Sequence, residues 1–154
     1  MVGAGGQGRD SRREGFPVVL SRFAGGEMGA DYVLGEVTGA VIGAAMAVHA
    51  ELGPGFLESV YESALVVELR LRGIPFERQR VVPVVYEGVE VGKHVLDLLV
   101  AGKVVVELKA VSDLNSAHRA QLASYLKATG NRIGLLLNFS RPSLQVRRHD
   151  LRGP

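Results

Sequence analysis

Asp97 and Glu107 stand in two apolar, β-branched runs, Val95-Leu96-Asp97-Leu98-Leu99-Val100 and Lys103-Val104-Val105-Val106-Glu107-Leu108-Lys109, joined around Ala101-Gly102. The two runs read as strands of a β-hairpin. Side chains alternate along a strand, so a connection with an odd number of residues, such as Ala101 to Lys103, sets Asp97 directly opposite Glu107 with both carboxylates on one face. Lys109 projects to the same side. Like charges placed opposite each other destabilise a sheet unless a cation lies between them, so the pattern points to a hard divalent metal, magnesium or manganese, on oxygen ligands. Such an ion, with positions open to water and phosphate, suits phosphodiester cleavage, because it activates water and offsets charge on the scissile group. Lys109 would orient the water or steady the developing negative charge. The competing reading is structural: two acids at strand ends, in solvent, paired with Lys109 or Lys93.

The elements that must carry these groups follow from periodicity. Val37, Val41, Ala44, Ala45, Val48 and Leu52 recur at helical spacing until Gly53-Pro54-Gly55 ends the pattern. A second helix starts near Leu57 or Glu58, carries Tyr61, Ala64, Leu65 and Leu69, and stops at Gly73-Ile74-Pro75. Phe76 to Tyr86 and Val89 to Val100 read as strands around a Glu87-Gly88 turn, with Pro83 marking an edge or irregular strand. After the third strand, Asp113 or Ser116 can cap a helix to about Thr129, closed by Gly130-Asn131. Ile133 to Phe139 is a continuous apolar run, which suits a strand buried on both faces. The order is therefore ααβββαβ: an α/β (α+β) domain with a mixed sheet of about four strands flanked by helices. Residues 1–30, rich in Gly and Arg, are expected to be disordered, residues 31–140 to form the domain, and residues 141–154 a polar tail. Met28, just before the organised region, is an alternative first residue that an intact-mass measurement would test.

Composition narrows the possibilities. With 154 residues, 47% of them hydrophobic, the chain can build one core but hardly two. It has no cysteine, hence no disulfide framework or thiolate chemistry, and no secretory signal is evident, which points to the cytoplasm. The apolar helical segment around Val41 to Val48 is far short of a bilayer span, so membrane insertion is not expected. A formal charge of +2 does not by itself mark a nucleic-acid binder. Arg70, Arg72, Arg78 and Arg80, and separately Arg147 and Arg148, could contact phosphates, or could form a solvated surface balanced by Glu68 and Glu77. His49, His94, His118 and His149 lack the i, i+4 pairing of a zinc helix, and no Walker loop spacing occurs.

Gly55-Phe56-Leu57-Glu58-Ser59-Val60-Tyr61 resembles the signature of the GxxExxY proteins, a branch of the PD-(D/E)XK nuclease superfamily. The resemblance extends through Val48 to Pro54, Leu96 to Val100, Val106 to Ala110, Gln121 to Gly130 and Gly134 to Phe139, covering about residues 33 to 140. It implies a restriction-endonuclease-like core of helix, three strands, helix and strand, here preceded by one extra helix. Asp97, Glu107 and Lys109 would be the superfamily's core motif, Glu58 an acid contributed by a helix, and Gln121 and Tyr125 a QxxxY element of nuclease branches linked to helicases. Leu96 stands where the superfamily's name places a proline, a position that varies widely.

On physical grounds alone Glu58 is explained by the helix dipole, and Tyr61 by packing. Gln121 and Tyr125, one turn apart, can reach a common neighbour or simply border a core-facing helix. His49 could approach Glu58 or serve as a hydrogen-bonded structural residue. Spacing and resemblance together give a metal-dependent nuclease-like domain for DNA or RNA, with Asp97, Glu107, the Leu108 carbonyl and Glu58 around Mg2+ or Mn2+. Lys109 would position water, and Gln121 and Tyr125 would support substrate or the lysine. A domain this small leaves little room for sequence reading and would depend on a homodimer or a neighbouring or fused partner. The alternative is a catalytically silent module for nucleic-acid binding or assembly that keeps the nuclease fold.

Overall fold

The computed structural model describes residues 29–153. The expected disorder of residues 1–30 and the question at Met28 fall outside that range, except that Ala30 already begins a helix. Helix α1 spans Ala30–Leu52, α2 Glu58–Leu71 and α3 Ser116–Thr129; the strands are β1 Phe76–Tyr86, β2 Val89–Val100, β3 Val104–Lys109, β4 Ile133–Asn138 and β5 Gln145–Asp150.

The strands form a single mixed sheet in the order β1-β2-β3-β4-β5. Neighbours are antiparallel except β3 and β4, which run parallel because α3 carries the chain back across the sheet between them. The sheet has five strands, one more than the sequence suggests. The fifth, Gln145-Val-Arg-Arg-His-Asp, lies within the segment read as a polar tail. As an edge strand it is only partly covered, so it shows neither an apolar run nor a clean alternation.

Two cores sandwich the sheet. On one face, α1 and α2 bury Val37, Val41, Ala44, Tyr61, Leu65 and Leu69 against Leu98, Val106, Leu108, Leu135 and Phe139. On the other, α3 buries Leu122, Tyr125 and Leu126 against Leu99, Val105 and Leu136. Truncating a fully buried leucine here, such as Leu98 or Leu135, carries a cost of about 2–5 kcal/mol. Close approach of α3 requires Gly134 on β4, because a Cβ added there would stand 2.7 Å from Leu122 Cδ1.

Helix α1 runs to 23 residues and is, by length and composition, apolar enough to cross a bilayer. This corrects the estimate made from Val41 to Val48, which measured only the uninterrupted apolar centre. In the fold its buried stripe packs on α2 and the sheet. The cap of α3 also differs: neither Asp113 nor Ser116 but Asn115 accepts from the His118 N–H, and the His118 ring accepts from the Asn115 N–H. That reciprocal pair satisfies two otherwise orphaned donors and gives His118 a structural role.

Candidate active site

Register sets the site. Leu98 opposes Val106, Leu99 opposes Val105 and Val100 opposes Val104, leaving Ala101 to Lys103 as the connection. Ala101 and Gly102 both take positive φ, and Lys103 N–H closes the turn on the Val100 carbonyl at 3.0 Å. Extending this register by one rung places Asp97 opposite Glu107. Beyond Leu98 the backbone ladder ends, and Asp97 Oδ2 accepts from the Leu108 N–H at 2.9 Å.

Glu107 is only 5% exposed, and its Oε2 has no hydrogen-bond partner. Two ionised carboxylates cannot bond each other; a proton held on Glu107 can be donated to Asp97. Burial first, then the Asp97 charge, pushes the Glu107 carboxyl up to about 9, against the opposing pull of Lys109. Burial also raises Asp97, partly offset by the Leu108 N–H, with Glu62 adding repulsion. Glu58, solvent-facing but partly shielded, is raised by burial and then by Asp97. All three neighbouring acids are shifted upward, with burial the largest cause in each and repulsion from a neighbouring acid adding to it.

Glu58 owes its place to the preceding loop. Tyr61, fully buried and stacked 4.6 Å from Phe139, donates its hydroxyl to the Gly53 carbonyl at 2.6 Å and accepts from the Phe56 N–H at 3.2 Å. It thereby pins the Gly53-Pro54-Gly55 turn and fixes where α2 begins. Lys109 Nζ donates to Gln121 Oε1 at 2.9 Å, and Gln121 lies close enough to the Tyr125 hydroxyl to favour its ionised form. Burial, and then the charges of Glu107 and Asp97, raise Tyr125. All six expected side chains therefore interact around one spot, although no set of three or more Asp, Glu, His or Cys side chains among the described residues is gathered closely enough to form a ready metal cage. Asp97 and Glu107 form the pair; Glu58 stands by.

The chemistry of the donor set suits a hard divalent cation. The ligands are oxygens, one is buried and unpartnered, and a divalent cation would let the mutually repelling carboxyls ionise together. His49, by contrast, is structural: its Nε2 lies 2.8 Å from the Arg141 carbonyl and its ring lies against Phe139. The arginines near α2 are mostly spoken for, with Arg72 on Glu68, Arg80 on Glu77, Arg78 on Glu62 and Arg70 over the Phe76 ring.

A sequence profile of the PD-(D/E)XK nuclease superfamily matches residues 35–149. The chain belongs to the PD-(D/E)XK nuclease superfamily. Membership accords with the mixed sheet flanked by helices, and it implies a nucleic-acid substrate and divalent-metal chemistry as general properties of the superfamily. No curated protein and no solved structure matches the chain.

Sequence reasoning passed over three residues beside this candidate site. Glu62, one turn after Glu58, is 7% exposed and accepts from Arg78 and Gln79. Gln79 lies opposite Asp97 on a rung that the β1–β2 ladder skips, between the pairs Arg78–Leu98 and Arg80–Leu96. Its φ of 51° is left-handed, which no glycine in the sequence announces. Buried Asn138 at the end of β4 is the other omission. Its amide bonds the Val111 N–H and carbonyl, the Ser140 N–H and Gln145 Oε1, tying the loop after Lys109 to β4 and β5.

Proposed function

We propose that this domain is a metal-dependent nuclease hydrolysing phosphodiester bonds of DNA or RNA, in the manner of the GxxExxY branch. The observation that carries the reading is the Asp97–Glu107 pair, in which Glu107 is buried with an unpartnered oxygen, next to a lysine. Asp97 and Glu107, with the Leu108 carbonyl and Glu58, would hold Mg2+ or Mn2+, which when bound supplies Lewis-acid charge neutralisation and an activated water. Lys109 holds its ammonium toward the reacting phosphate, where it steadies charge and orients water. Gln121 fixes that ammonium, since its carbonyl oxygen takes one of the three donors. Tyr125 screens the pair from the α3 side. A screen of single- and double-stranded DNA and RNA with magnesium or manganese, wild type against Lys109→Ala, tests this. No cleavage by the wild type, or equal cleavage by the variant, ends the catalytic reading.

A second reading is an assembly or binding module without turnover, acting through a homo-oligomer or a helicase-type partner. It is favoured by the far half of the β1–β2 hairpin, where Val81, Val85, Tyr86, Val89 and Val91 are all more than half exposed. Apolar surface of that extent on a protruding ribbon suits a protein contact. Sedimentation at several concentrations, with nucleic-acid binding measured in chelator, separates the two readings. We place the protein in the cytoplasm on its cysteine-free composition.

A further inference from the structure

Both strands of the β1–β2 hairpin lose their alternation at one rung. On β1, Phe76 packs on the α1–α2 side and Arg78 reaches α2, yet Val82, in step with them, joins the α3-side core. On β2, Leu98 faces the α1–α2 core while Leu96 belongs to the other. Side chains two apart share a face on a regular strand, so the ribbon turns over between these positions, at Gln79 and Asp97. The left-handed backbone of Gln79 is the visible cause. It turns the Gln79 side chain to the same side as Arg78, toward α2.

There it meets Glu62. Gln79 Nε2 donates to both carboxylate oxygens, at 2.9 and 3.0 Å, and Arg78 Nε donates to Oε1 at 2.7 Å. Arg78 also holds Ser63 Oγ at 3.1 Å. A non-glycine residue in this backbone region is strained, and the strain persists only where its surroundings impose it. The bidentate grip on a buried carboxylate imposes it here. The strained residue also lies directly opposite one of the two acids of the site, and the acid that grips it sits one helical turn from Glu58.

We propose that Glu62 is a positioning residue for the Asp97–Glu107 metal site: through Gln79 it holds the rung on which Asp97 stands, and its negative charge, partly offset by Arg78, strengthens the site's grip on a divalent cation. This rests on the metal reading given above. Groups that orient or bias metal ligands without touching the ion commonly set a large share of its affinity. The sign of two charge removals separates this role from plain structural support. Removing the Glu62 charge and removing its Arg78 counterweight act on a cation in opposite directions, whereas breaking a merely structural cluster from either side weakens the site both times.

The test is calorimetric titration of Mn2+ into the metal-free full chain near neutral pH, with Asp97→Asn as the reference that locates the binding. Glu62→Gln, which keeps an acceptor for Gln79 but removes the charge, is expected to weaken Mn2+ binding roughly tenfold. Arg78→Gln is expected to tighten it, by roughly two- to fivefold. Gln79→Gly relieves the backbone strain and so preserves the melting temperature, yet it weakens Mn2+ binding because the grip is gone. If Glu62→Gln does not fold, the opposed effects of Arg78→Gln and Gln79→Gly carry the test. Equal weakening by Glu62→Gln and Arg78→Gln, or three variants that bind as the wild type does, overturns the proposal and leaves the metal reading standing. A wild type that takes up no Mn2+ at millimolar concentration overturns both.

Discussion

Asp150 and Glu107 are both acids on strands of one sheet, both largely hidden from solvent, and the protein treats them in opposite ways. Asp150 is gripped by Arg132 through Nε at 2.8 Å and Nη2 at 2.7 Å, and it accepts the Arg152 N–H at 3.0 Å. Arg132 also holds Asp31 at the start of α1, closing a triad across the end of the sheet. Hydrogen bonding to Arg132 draws the Asp150 carboxyl down to about 2. Glu107 has no such partner, and burial beside Asp97 drives it up to about 9. Shielding is common to both, so the difference lies in whether the chain supplies the countercharge. One cluster is complete as it folds; the other is the one proposed to bind a cation.

Breaking the incomplete cluster should therefore abolish activity while relieving the fold. Glu107→Gln is expected to reduce cleavage by three orders of magnitude or more, on the scale of roughly 10³–10⁶ seen when a catalytic group is lost. The same variant should raise the melting temperature of the metal-free protein at neutral pH, since folding at that pH must protonate the Glu107 carboxyl, a cost that an amide escapes. A destabilised variant, in a cleavage assay matched by circular dichroism melts, would remove the distinction between the clusters.

A pH series gives the next largest effect. The folded Glu107 carboxyl lies at about 9 and its ordinary value is 4.5. The folded state thus holds the proton more tightly than the unfolded one. The stability this contributes is full below 4.5 and is lost as pH rises toward about 9. Metal-free melts should fall across that window, and excess Mg2+ or Mn2+ should restore them at the alkaline end, because the cation takes the place of the proton. A flat metal-free profile through this range, or no recovery with metal, would show Glu107 to be neutralised by something else.

The Glu107 half of this contrast could be read from the chain before any coordinates, whereas the Asp31–Arg132–Asp150 triad could not, since it joins α1 to a strand that reads as a polar tail. The odd-length connection around Ala101-Gly102 fixes the Asp97–Glu107 register, because alternation along two short apolar strands allows few others. Helices and glycine stops were equally legible. What escaped depends on contacts made across the fold. Glu62 looked like one more acid on a helix until β1 brought Gln79 and Arg78 to it, and the left-handed Gln79 carries no local signal. Strand β5 was hidden by its own composition, since an edge strand that presents Arg147, Arg148 and His149 reads as a polar tail. The Asn115 cap was not among the residues proposed, Asp113 and Ser116, although its side chain has capping chemistry as good as theirs.

Two smaller predictions probe the complete side of the comparison. Gly134→Ala places a methyl group against Leu122 at the α3 contact and should cost about 1–3 kcal/mol, with cleavage per folded molecule unchanged. Arg132→Gln should have a gentler effect, a loss of a few degrees in melting temperature at neutral pH, reduced further by salt because the triad is partly exposed. Its signature lies in acid. A carboxyl held at about 2 against an ordinary 3.8 contributes stability above 3.8 that disappears as pH falls toward 2. With Arg132 gone the folded and unfolded values converge, so this part of the acid limb should flatten, whereas Mn2+ affinity at Asp97 and Glu107 should stay as in the wild type. Loss of metal binding in Arg132→Gln would mean that the two clusters are coupled through the sheet, and that the completed triad helps to hold the open site in shape.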